Sequence, residues 1–126
     1  MSKQVPDETK ADWIEAARLS DAGDTVSELK YRQKMVENHP ASAKLRVCLG
    51  FTYKELEDFG RAEAEFVESV KLAPKWELAS LQLFHLFWDQ DRREEAMDEL
   101  GRFMKVSYSQ DYMDIVREIN QKYPDD

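Results

Sequence analysis

Apolar residues recur every three or four positions along most of this chain and never alternate over a strand length, which predicts helices throughout. In the middle of the chain Leu45, Leu49 and Tyr53 fall at four-residue intervals on one helix face. Ala62, Phe66 and Val70 do the same on a second, with Gly50 placed for a close helix approach and Glu57-Asp58-Phe59-Gly60 as the predicted turn. Pro6, Pro40 and Pro74 stand 34 residues apart. Proline lacks an amide N–H and crowds the preceding turn, so equal spacing marks the ends of repeated helical units. Three units follow, 9–42, 43–76 and 77–108, after an N-terminal segment 1–8. The first holds helices near 9–21 and 25–38. The third places Leu83, Phe87, Ala96 and Leu100 where the second has Leu49, Tyr53, Ala62 and Phe66. Beyond Tyr108, Ser109-Gln110-Asp111 supplies a helix start, and Tyr112, Ile115, Val116, Ile119 and Tyr123 form one further amphipathic face. The prediction is seven helices, the last (109–126) ending in an acidic tail.

The middle unit resembles the tetratricopeptide repeat, through Leu49-Gly50-x-x-Tyr53, Ala62-x-x-x-Phe66 and Pro74 at the family's spacing. The third resembles it with Phe84 in the small-residue place and Phe103 where alanine is usual, a ring expected to reach into the next element. The first is the most divergent: Glu28 and Arg32 replace the alanine and the aromatic residue. Trp13 is one place out of register, from either an inserted residue before Gly23 or drift. The resemblance implies an all-α right-handed superhelix of three helix-turn-helix (TPR) repeats plus a C-terminal capping helix. Such a cap covers an otherwise wet apolar end, and polar or charged Asp114, Arg117, Glu118 and Gln121 occupy the signature places there. The resemblance further implies non-catalytic protein binding on a concave groove lined by the first helix of each unit. Carried over by position, the groove residues are Trp13 and Ala17, then Lys44, Val47, Phe51, Lys54 and Glu55, then Leu78, Leu81, His85, Trp88 and Asp89. Val47 and Leu81 are as readily core residues. The family's clamp for acidic chaperone tails needs lysine, asparagine and arginine, but the matching places hold Trp13, Ala17, Cys48, Leu78 and Gln82. Acidic chaperone tails are therefore not the expected partner.

Composition narrows this further. The 126 residues are 42% hydrophobic and 35% charged, with a net charge of −8. That balance predicts a folded single domain and opposes nucleic-acid binding, which needs a basic stripe. It suits a basic or amphipathic protein or peptide partner. No apolar run approaches the ~20 residues of a spanning helix. No secretory h-region precedes Asp7, and the single cysteine, Cys48, excludes an internal disulfide, so a cytoplasmic location and no membrane partner are expected.

Catalytic chemistry finds little to stand on. His39 and His85 lie in different units, without metal-ligand spacing. Cys48 has only Lys44 nearby on its own helix, thin support for a reactive thiolate. No enzyme, metal or cofactor is expected. Three functions fit: a scaffold or adaptor, an immunity protein covering a basic toxin enzyme, or a secretion chaperone shielding a hydrophobic segment. Monomer and dimer both remain open.

Overall fold

The computed structural model describes residues 9–123; the segment 1–8 with Pro6, and the last three residues of the acidic tail, lie outside them. Among the described residues the chain is all-helical, with α1 (Lys10–Asp21), α2 (Thr25–Asn38), α3 (Ala43–Glu55), α4 (Phe59–Leu72), α5 (Glu77–Asp89), α6 (Arg93–Val106) and α7 (Gln110–Lys122). The chain divides into two compact units, Met1–Pro74 and Lys75–Asp126. The first contains two helical hairpins, α1–α2 and α3–α4; the second contains the hairpin α5–α6 followed by α7.

One turn is used three times. Gly23, Glu57 and Asp91 all have positive φ (76°, 59° and 60°) and stand 34 residues apart. The following amide closes the turn each time: Asp24 N–H donates to Leu19 O, Asp58 N–H to Tyr53 O and Arg92 N–H to Phe87 O, all at 2.9 Å. The first unit is therefore in register without an inserted residue, and its sequence has drifted on a retained backbone. Asp24 and Asp58 cap the helices they precede, accepting from Ser27 N–H and Arg61 N–H at 3.2 Å. Arg92 gives no such cap. Phe59 and Gly60, expected in the turn, form the first residues of α4 instead, because the Asp58 cap starts that helix at Phe59.

The predicted close approach at Gly50 is present. A Cβ there would stand 2.5 Å from Cε1 of Phe66, whose ring is fully buried. Gly50→Ala is expected to cost about 1–3 kcal/mol through overpacking. Thermal unfolding would check it, and adding Phe66→Leu should return part of the loss.

In the first hairpin, Glu28 and Arg32 take the places of Ala62 and Phe66 and are buried, 6% and 8% exposed. Arg32 Nε donates to Glu28 Oε2 at 3.1 Å. In the second unit the aromatic ring at Phe84 is buried and turned toward α7: its centroid lies 5.5 Å from that of Tyr112, at 80°. Phe103 reaches the same residue, its centroid 5.6 Å from the Tyr112 ring, as its place in the sequence predicts. Tyr112 is fully buried, and its hydroxyl lies 2.7 Å from Ser80 Oγ. Ser80 Oγ donates to Glu99 Oε2 at 2.5 Å, so Tyr112 is the donor to Ser80. Arg102 then pairs with Glu99 at 2.6 Å. Burial, with the Glu99 charge nearby, pushes the Tyr112 phenol above its ordinary value and keeps it a donor.

Candidate functional site

In the first unit, α1 and α3 carry the residues expected to meet a partner. Trp13 is half-buried, with the Arg32 guanidinium carbon 4.7 Å and Lys44 Nζ 5.3 Å from its ring centroid. Both lie within the range of cation–π attraction. Lys44, Phe51 and Lys54 are also half-buried. The Phe51 ring meets Phe66 edge-to-face, with centroids 5.8 Å apart at 74°. Val47 is 1% exposed and cannot touch a partner. Its place among the groove residues is corrected to a place in the core. Cys48 is free, and burial pushes its thiol pKa up, with Arg32 and Lys44 pulling it only partly back. A thiol raised in this way is a poor nucleophile at neutral pH.

In the second unit, Leu78 is 41% exposed, His85 is exposed, and Leu81 and Trp88 are half-buried. Two of these four come together. His85 and Trp88 line a cleft of about 210 Å³ between α5 and α7, floored by Phe84 and walled by Ile115 and Ile119. The Trp88 ring stacks on Phe84 (5.7 Å, 18°) and the His85 ring meets Phe84 edge-on at 5.4 Å. Arg93, Glu118, Lys122 and Tyr123 complete the lining. Leu78 and Leu81 lie outside it.

The α7 wall was not foreseen, although a signal for it exists. Ile115, Ile119 and Lys122 stand 34 residues after Leu81, His85 and Trp88. The repeat's groove-facing positions therefore continue into α7, even though its packing positions turn polar. Arg93, the first residue of α6, reaches the cleft as well. Its guanidinium carbon sits 4.4 Å from the Trp88 ring centroid and 5.8 Å from that of Tyr123. Arg93 Nε donates to Asp91 Oδ1 at 2.9 Å and Nη1 to the Tyr123 hydroxyl at 3.3 Å. Among the described residues no group of His, Cys, Asp and Glu is arranged to hold a metal ion, and no helix is long and apolar enough to cross a membrane.

Hairpins of 34-residue period with a shared turn define a tetratricopeptide-type helical repeat, and comparison with solved structures gives the same fold. The MamA fragment 41-end from Desulfovibrio magneticus RS-1 aligns at 19% identity with a TM-score of 0.72, over 81% of this chain and 58% of that one. The MamA RS-1 ArsTM double mutant aligns at 20% identity and 0.71, over 79% of this chain and 56% of that one. A chain of the CopN–Scc3 complex aligns at 16% identity and 0.76, over 94% of this chain and 71% of its own length. The chain thus spans little more than half the length of the two MamA chains. No protein-family model and no curated protein matches the sequence.

Proposed function

We propose that the chain is a non-catalytic protein-binding module, which holds a partner segment against the first-helix faces of its hairpins. The observation that carries this reading is the α5–α7 cleft. There Phe84, Trp88, Ile115 and Ile119 form an apolar recess that solvent reaches. Large aromatic groups in such recesses dominate binding energy when a partner desolvates them. Trp13, Lys44, Phe51 and Lys54 offer a second such face on α1 and α3. The non-catalytic part of the proposal is supported by the raised Cys48 thiol and by Ser80, whose hydroxyl is fully buried and committed to Glu99. A cytoplasmic setting belongs to the same reading, resting on one free thiol in the whole chain.

The test is affinity capture from the native source with the full chain, followed by titration of the recovered partner. Trp88→Ala or Phe51→Ala is expected to weaken binding by about 2 kcal/mol or more with far-UV helicity unchanged. Unchanged affinity in both variants overturns the proposal. A second reading, a chaperone for a hydrophobic segment of a client, is favoured by the same apolar recess of Phe84, Trp88, Ile115 and Ile119. It predicts that the bound client stays unfolded while held and is released on delivery, whereas an adaptor's partner is folded when bound.

A further inference from the structure

Resting on that reading, we propose that the α5–α7 cleft takes a partner-protein segment in which an apolar side chain stands beside an aspartate or glutamate. The apolar half follows from the floor and walls. Phe84, Trp88, Ile115 and Ile119 bound about 210 Å³, room for one large side chain. The carboxylate half follows from the mouth, where Arg93 and Lys122 stand in a chain whose net charge is −8. Arg93, from the first position of α6, and Lys122, from the last of α7, converge on Tyr123. The Arg93 guanidinium carbon and Lys122 Nζ lie 5.8 Å and 5.7 Å from its ring centroid. Among the described residues Glu118 is the one carboxylate in the cleft lining, and Asp91 holds Arg93 from outside it.

Asp91 and Tyr123 occupy Nε and Nη1 of Arg93, and Nη2 has no hydrogen-bond partner among the described residues. A planar fork fixed on two aromatic rings, with donors to spare, is the arrangement that recognises a carboxylate. The hydrogen bond from Arg93 holds the Tyr123 hydroxyl below its ordinary value, and the charges of Lys122 and Arg93 add to this. Among the described residues, the exposed His85 and the Tyr123 phenol complete the titratable groups lining the cleft. At long range the net charge of the chain attracts basic surfaces, while the short-range contacts in the cleft select for an acidic neighbour.

The experiment titrates the isotope-labelled full chain with three capped tetrapeptides by NMR: acetyl-Gly-Phe-Glu-Gly-amide and its counterparts with Gln or Lys in place of Glu. The Glu peptide is expected to shift amides at 84–88 and 115–123 and to bind about tenfold tighter than the Gln peptide, with the Lys peptide weaker still. Arg93→Gln combined with Lys122→Gln should remove the Glu preference while leaving Gln-peptide binding in place. Equal affinity of the Glu and Gln peptides, or a preference for Lys, overturns the carboxylate inference and leaves the protein-binding reading intact. Absence of shifts at α5 and α7 with all three peptides overturns both. Sedimentation of the chain alone supplies the remaining arm. A dimer that Trp88→Ala dissociates would place a second copy in the cleft and overturn the inference.

Discussion

Replacing Arg32 with leucine is expected to lower the free energy of unfolding by about 3–5 kcal/mol, and adding Glu28→Ala should restore most of that loss. The two side chains are 9% and 8% exposed and form an i,i+4 ion pair on α2, in a hairpin whose neighbour uses alanine and phenylalanine at the same places. Removing one partner strands the other charge in the core. Glu28 would keep only the Thr52 hydroxyl, 3.5 Å away and already donating to Cys48 O at 3.1 Å. The mirror single variant, Glu28→Ala, strands Arg32, whose Nη1 is already buried without a hydrogen-bond partner. The double variant reproduces Ala96 and Leu100 of the third hairpin, both buried there. Leucine is chosen over phenylalanine because Ala16 stands where Gly50 does, and a ring at 32 would meet its methyl as Phe66 would meet a Cβ on Gly50. Urea unfolding checks the prediction. Losses below about 1 kcal/mol in both single variants would mean that water solvates the pair and that it is not a buried ion pair.

Tyr112→Ala carries the second large effect, an expected loss of about 3–5 kcal/mol. The ring is fully buried and packs on Phe84 and Phe103, and it is the only buried side chain in α7. Tyr112→Phe keeps that packing and loses only the hydrogen bond to Ser80, which retains Glu99 as its acceptor. It is expected to cost about 1 kcal/mol. The two variants therefore separate packing from hydrogen bonding. In Tyr112→Ala, α7 amides should lose hydrogen-exchange protection before those of α5 and α6, since Tyr112 is the one buried side chain of α7. Equal protection loss in all three helices would show that α7 is held by other contacts.

Much of the fold was legible in the sequence because its signals are local. Glu57 and Asp91 are not glycines, yet they adopt the backbone of Gly23, because a six-residue hydrogen-bonded turn with the same spacing on both sides demands it. Gly50 and Phe66 declare a close contact through their sizes alone. Less of the candidate site was legible. Val47 and Phe51 lie one helical turn apart, and the repeat pattern marks both as groove positions. One is sealed in the core, while the other keeps part of its ring in solvent. Ile115 and Ile119 share the spacing of Leu81 and His85, but their meaning was hidden by the charged residues around them.

The sequence by itself determined that the chain is helical throughout, the period that relates the hairpins, and the replacement of Ala-Phe by Glu-Arg in the first hairpin. Caps, turns and prolines act on residues within about one helical turn, so the chain states them directly. Only the tertiary structure decided that Glu28 and Arg32 bury their charges against each other, that Val47 is core, and that Arg93 is laid across Trp88 and Tyr123. Burial and charge pairing depend on the elements packed alongside a side chain, and the period that places a residue on a helix face does not say what covers that face.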